Sequence, residues 1–261
     1  EYTLSWHEPS QAYTAPNRAN GLWLALGAGG AQRVILVSRT VLNHDANAEG
    51  AKPMNILHVA AEMTPLLSTG GLAEVLNALP KALHAQGHDV RVAMPCYKDV
   101  PPQHRGLHIA PCSVRLGAKT VQGALRLANV PDNGLPLYLV EHEGYFGRAR
   151  PYGGDYGEYG DNAERFCFFC LALLDGLPKS GWVPDVINCH DWQTGALPIA
   201  LKSTFATHPV WAKCPVVYTI HNLNYQGRFG ASQLPYTGLD PALFNRDCLE
   251  YYGDINLMKG A

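Results

Sequence analysis

The chain has 261 residues, 47% of them apolar and 16% charged, the balance of a globular protein with a sizeable core rather than a disordered one. Lys and Arg total 20 against 22 Asp and Glu, giving a formal charge of −2 with no basic run. That argues against a nucleic-acid binder driven by phosphate neutralisation and against a protein held to an anionic membrane. The longest apolar stretch, 166–174, is far too short to cross a bilayer.

Residues 1–53 differ from the rest. The first residues lack the charged start and apolar stretch of a signal peptide. Residues 22–26 and 34–38 read as two short strands around Gly27-Ala-Gly-Gly30, a hairpin pattern, and 41–53 reads as a linker. From Met54 the rhythm becomes strand, turn, helix, strand. Residues 56–60 form a short apolar run expected of a buried parallel strand. Leu72, Leu76, Leu79 and Leu83 follow helical spacing, with Gly87 as the stop and Pro80 predicting a kink. Residues 89–94 are the next strand, ended by Pro95, and weaker strand patterns lie at 122–129 and 137–140. The Gly/Tyr-rich segment 144–160 reads as a long loop, 162–174 as a helix apolar on most faces, 186–189 as a strand, 194–202 as a helix and 216–220 as a strand. This alternation predicts an α/β fold: a Rossmann-like parallel sheet with helices on both faces. Right-handed crossovers then put every strand-to-helix loop at the sheet's carboxyl edge, where ligands bind.

The seven cysteines are scattered and mostly in apolar context, as expected of reduced thiols in a cytoplasmic protein. Cys167 and Cys170 have C-x-x-C spacing, but neither a turn nor a second pair accompanies them, so they read as two thiols packed in a buried helix.

Three post-strand segments carry the chemistry. In the first, Glu62-Met-Thr-Pro-Leu-Leu-Ser-Thr-Gly-Gly-Leu-Ala-Glu-Val75, Gly70 and Gly71 stand just before a helix. Their backbone N–H groups can approach a phosphate or sugar oxygen at the positive end of that helix, though a Gly-Gly before a helix, taken alone, is more often a plain tight turn. In the second, Asn188-Cys-His-Asp-Trp-Gln193, a strand ends in His190 and Asp191 with Trp192 behind. An aromatic ring that stacks on a pyranose beside polar groups for its hydroxyls suits carbohydrate. The alternative is that Asp191 or Thr194 caps the next helix and His190 is structural. In the third, Ile220-His-Asn-Leu-Asn-Tyr-Gln-Gly227, a strand ends in His221 and Asn222 with Tyr225 and Gln226 close behind; Asn222 or Asn224 could equally be turn residues.

In order and spacing these segments resemble the N-terminal half of bacterial glycogen synthases and plant starch synthases, from Met54 to Ala261. The resemblance implies a retaining GT-B glucosyltransferase that moves glucose from ADP-glucose to the non-reducing end of an α-1,4-glucan such as glycogen. It implies no metal and no cofactor, and a cleft shared with a C-terminal GT-B domain that holds most of the donor. It further implies that Ser68, Thr69, Gly70 and Gly71 face the donor phosphates, and that His190 contacts the transferred glucose near its 6-hydroxyl. Asp161, which could also cap the helix from Asn162, would belong to the glucose pocket, and Asp191, Trp192, His221, Asn222, Tyr225 and Gln226 to the sugar and acceptor side. Ser68 stands where the family has a lysine; losing one charge-assisted contact would cost roughly 2–4 kcal/mol, or about 10²–10³ in rate. The chain stops at Ala261, where the family is mid-helix before its second domain, so half an active site is expected. A non-catalytic glucan-binding relative, or a transferase using another nucleotide sugar, are the alternatives. Residues 1–53 fall outside the resemblance; their strand-like tail resembles the β-rich end of an amylase-type enzyme, and they are expected to be an extension left from a preceding β-rich module.

Overall fold

The structure, a computed structural model, describes residues 52–261 together with the backbone of two strands, β1 (Trp23–Ala25) and β2 (Val34–Ser38). The expected hairpin is therefore present, while the linker expected over 41–53 falls almost wholly outside the described residues.

The chain continues through β3 (Asn55–Val59), α1 (Gly71–Ala85), β4 (Asp89–Pro95), β5 (Leu107–Leu116), β6 (Lys119–Asn129), β7 (Pro136–Glu141) and a short α2 (Glu143–Phe146). A two-stranded ribbon, β8 (Gly153–Gly154) and β9 (Gly157–Glu158), interrupts the long loop before α3 (Asn162–Gly176). Then come β10 (Val186–His190), α4 (Ala196–Lys202), β11 (Val216–Ile220), and the small elements β12 (Arg228–Gly230), β13 (Glu250–Tyr251), β14 (Asp254–Asn256) and α5 (Leu257–Gly260).

Nine strands form one sheet in the order β1-β2-β11-β10-β3-β4-β7-β6-β5. The central five, β11 to β7, are parallel, and antiparallel strands flank them on both sides. The parallel strands were legible because strands covered on both faces are near-continuous apolar runs. β5 had no such run: Pro111 interrupts it, which is tolerated only because β5 is the outermost strand, where a missing N–H breaks no ladder.

The chain leaves β3 through α1 toward β4 and leaves β10 through α4 toward β11, in opposite lateral directions. Right-handed crossovers therefore put α1 and α4 on opposite faces, and the order reverses between β3 and β10. A crevice at the carboxyl ends of those two strands is the expected ligand position in such a sheet. The main core contains the stretch of α3 from Phe166 to Leu174, with Phe166, Cys167, Phe169 and Cys170 fully buried. Cys167 and Cys170 are free thiols, as the apolar context predicted. A second, smaller cluster of Ile56, Val90 and Val186 lies on the other side of the sheet, against Leu83 of α1. α1 runs unbroken through the buried Pro80 and stops where predicted: Gly87, in the left-handed region at φ 92°, donates its N–H back to the His84 carbonyl.

Candidate active site at the carboxyl edge

The loop after β3 folds around one carboxylate. Glu62, almost fully buried, accepts from the Thr69 N–H at 2.5 Å, the Thr69 hydroxyl at 2.9 Å and the Tyr152 hydroxyl at 3.1 Å. This holds Ser68, Thr69 and Gly70 exposed at the start of α1. Gly70 occupies the N-cap without any side-chain cap, so the first N–H groups of a 15-residue helix stay free. A Cβ on Gly70 would meet no atom within 4 Å; the backbone there fronts open space.

Asp161 ends the 144–160 loop. It occupies the N-cap position of α3, but its carboxylate makes no cap hydrogen bond. Instead it takes a two-pronged contact from Arg148, at 2.7 and 2.5 Å, whose guanidinium also lies 4.7 Å from the Tyr159 ring centre. Capping was the wrong alternative for this side chain, because a bidentate charge-assisted pair outcompetes a single backbone N–H. Burial raises the Asp161 carboxyl, but the Arg148 hydrogen bonds and charge outweigh it and hold it below its ordinary value. Arg165, wholly buried in α3, fastens the loop from beneath through the carbonyls of Tyr145 and Pro151 and the Asn162 side chain.

Three histidines form a stair across the sheet. In register, Asn188 of β10 pairs with His58 of β3, and His190 pairs with Thr219 of β11. His190 therefore lies two residues beyond His58, and His221 two beyond Thr219. Side chains alternate along a strand, so His58, His190 and His221 fall on one face, each diagonal to the next. His58 Nδ1 lies 3.1 Å from His190 Nε2, and His190 Nδ1 lies 2.9 Å from His221 Nε2. His58 and His190 are buried and His221 partly exposed. Burial lowers all three: His58 and His221 to about 4, and His190 well below its ordinary value, its two neighbours adding to the effect.

Asp191 follows at φ 58° and ψ 179°, a backbone conformation that non-glycine residues rarely adopt and that costs about 1–3 kcal/mol. Its Oδ1 accepts from the His221 N–H at 2.7 Å and the Asn222 N–H at 3.4 Å, which ties the β11 loop to the β10 loop. Neither it nor Thr194 acts as a helix cap: the Thr194 hydroxyl points back to the His190 and Asp191 carbonyls. Burial pushes the Asp191 carboxyl up to about 6; the two N–H contacts oppose this, and the Glu62 carboxylate adds to it. Glu62 thus joins the loops after β3 and β7 through its hydrogen bonds to Thr69 and Tyr152, and its charge is felt at Asp191 in the loop after β10, so the three loops face the same edge of the sheet.

Some expected contacts are not available. Trp192 offers no face for stacking: its ring lies edge-on to Phe166 at 5.1 Å and to Phe229 at 5.5 Å, and Gly227 packs so closely that a Cβ there would come within 2.7 Å of it. His190 presents no free ring nitrogen; His221 Nδ1, which has no protein partner among the described residues, is the outward end of that group. Gln226 is occupied at both ends, donating to the Leu223 carbonyl and accepting from Asn256, and so buttresses the loop. The Asn222 side chain closes a turn onto the Asn224 N–H, as the turn alternative held, while Tyr225 is well exposed beside it. Glu62 opened the first segment with no role assigned to it, and His58, Arg148 and Arg165 were not singled out by motif. Glu62 and His58 carried a signal in their places near the end of a central strand; Arg148 and Arg165 carried none, since their partners are set by the folded loop. Among the described residues no group of His, Cys, Asp and Glu is arranged to hold a metal ion, and no helix is long and apolar enough to cross a membrane.

Comparison with known proteins identifies the family. Residues 55–261 match the family described as the starch synthase catalytic domain. The chain is 47% identical over 210 residues to a glycogen synthase of Geotalea daltonii and 49% identical over 210 residues to a glycogen synthase 2 of Geobacter metallireducens. In each case 80% of this chain is covered and 43% of the relative, so the chain spans less than half the length of these proteins. A solved structure, the catalytic domain of starch synthase IV from Arabidopsis thaliana bound to ADP and acarbose, superposes with a TM-score of 0.70 at 30% identity, covering 80% of this chain and 43% of that one. The matched residues include every loop that carries the sequence motifs, and the chain belongs to the starch synthase catalytic-domain family.

Proposed function

We propose that this chain is one wall of a glucosyltransferase site, and that the protein carrying the second GT-B domain transfers glucose from ADP-glucose to the non-reducing end of an α-1,4-glucan such as glycogen. The observation that carries the reading is the convergence of three post-strand loops on one crevice. The uncapped N-terminus of α1 at Gly70 and Gly71 suits the donor diphosphate, whose charge grows as ADP leaves. Asp161, oriented by Arg148, and the histidine stair behind Asp191 suit the hydroxyls of the glucose. The relatives' names support glucan synthesis, and the ADP and acarbose of the starch synthase IV structure support an adenine nucleotide and a glucan-like acceptor in this crevice. Residues 54–261 form the catalytic half in this reading, and 1–53 an extension whose hairpin adds to the same sheet. The buried free thiols support a reducing compartment, the cytoplasm.

The test is ADP release by the two-domain protein with ADP-glucose or UDP-glucose and glycogen. Turnover with ADP-glucose supports the reading, and no consumption of either donor overturns it. The 261-residue chain alone is expected to show no turnover. Ser68 favours a second reading, a glucan binder without catalysis, because the exposed hydroxyl supplies no charge. Ser68→Lys in the two-domain protein separates the two: a gain of about 10²–10³ in turnover marks a weakened enzyme, and no gain favours the binder.

A further inference from the structure

The histidine stair has a property that its individual members lack. All three imidazoles are held neutral near pH 7, so they carry three ring protons between them. Each of the two nitrogen-to-nitrogen contacts uses one proton. The third can sit in only two places, the terminal nitrogens of the chain: His58 Nε2 or His221 Nδ1. His190 has one proton and contacts at both nitrogens, so the chain must point wholly one way or wholly the other.

The two ends are not equivalent. His58 Nε2 is buried and has no hydrogen-bond partner among the described residues. A proton there would be a buried N–H with no acceptor, the rarer and costlier kind of orphan. His221 Nδ1 is at the outer end, beside the exposed Asn222 and Tyr225, where water or a ligand oxygen can accept.

We propose that the three histidines act as one polar unit in which His58 is a positioning residue: its Nδ1–H donates to His190, His190 Nδ1–H donates to His221, and His221 Nδ1–H is thereby fixed as a donor facing the crevice. His58 lies too deep to touch a ligand, yet it decides whether the crevice meets a donor or an acceptor at His221. The matching ligand group is an oxygen with a free lone pair, here a sugar hydroxyl. That last assignment rests on the sugar-site reading above; the polarity of the chain does not.

The experiment separates the two. Long-range proton–nitrogen correlation spectra of the 261-residue chain, labelled with ¹⁵N in its histidines, report which ring nitrogen carries the proton. Wild type is expected to show Nδ1–H at His58, His190 and His221, the less common form of free histidine; Nε2–H at His190 would overturn the proposal. His58→Asp places an acceptor where the His58 donor stood, so His190 should turn to the Nε2–H form and His221 should donate back to it from Nε2, while His58→Asn, whose amide can donate, should keep the wild-type form. Unchanged tautomers in His58→Asp would also overturn it. If that variant does not fold, the wild-type spectrum and His58→Asn still decide. In the two-domain protein His58→Asp is expected to lower kcat/KM for the sugar donor by about tenfold, the worth of one misdirected neutral hydrogen bond, and His58→Asn to keep most of the wild-type value. Tautomers as expected in a two-domain protein that transfers no glucose would count against the sugar-site reading alone.

Discussion

Asp191 gives the most demanding test of the electrostatics. Its carboxyl is about 8% exposed and is pushed from its ordinary 3.8 up to about 6, chiefly by burial. A carboxyl raised in the folded state makes ionisation cost stability. Below about pH 3 it is protonated both folded and unfolded and costs nothing. As pH climbs from 3.8 toward 6 the unfolded chain ionises first, so stability falls; above 6 the full penalty is present. The gap between 3.8 and about 6 corresponds to ~3 kcal/mol. Asp191→Asn mimics the protonated form: its amide oxygen can still accept the His221 and Asn222 N–H groups, and asparagine tolerates positive φ better than most residues. The variant is therefore expected to be about 2–3 kcal/mol more stable than wild type at pH 8, with the difference shrinking to near zero by about pH 3. Urea unfolding of both proteins across that range measures it. A variant no more stable at pH 8, or an advantage that does not change with pH, would refute the reasoning. A carboxylate kept at such a cost, on a strained backbone, is what a functional site retains; the same variant should weaken sugar-donor turnover in the two-domain protein.

Other outcomes follow from single contacts. Arg148→Ala removes the cation that holds Asp161 low, so the Asp161 carboxyl, followed by NMR, should titrate at higher pH than in wild type; the pair is partly solvent-exposed, so the stability loss should stay within about 1 kcal/mol. Arg165→Met strands the Tyr145 and Pro151 carbonyls in the core and should cost about 3–5 kcal/mol by urea unfolding, with the 144–160 loop becoming protease-sensitive first. Gly227→Ala should destabilise by about 1–3 kcal/mol, because a Cβ at φ 64° is strained and would press on Trp192.

Much of the architecture could be read along the chain. The central strands β3, β4, β10 and β11 are short apolar runs, and α3 is apolar all round because the core surrounds it. The site loops were found because ligands gather after parallel strands and the glycine, histidine and asparagine motifs sit there. The outer β5, with Pro111 in its middle, and the two- and three-residue strands β8, β9, β12, β13 and β14 were not legible, since they owe their form to neighbours rather than to local pattern.

Within the site, sequence alone determined which residues could reach the crevice, because strand alternation and strand ends are local properties. It could not decide what each would touch. Trp192 has the composition of a sugar platform but is enclosed by Phe166 and Phe229. Asp161 could cap α3 as easily as bind Arg148 until the 144–160 loop brings that guanidinium over it. His58 and His190 stand 132 residues apart, and only the insertion of β10 between β3 and β11 places their rings within hydrogen-bonding distance. Lateral strand order arises from how the whole sheet buries its two faces, so the partners of a side chain belong to the tertiary structure even where its position belongs to the sequence.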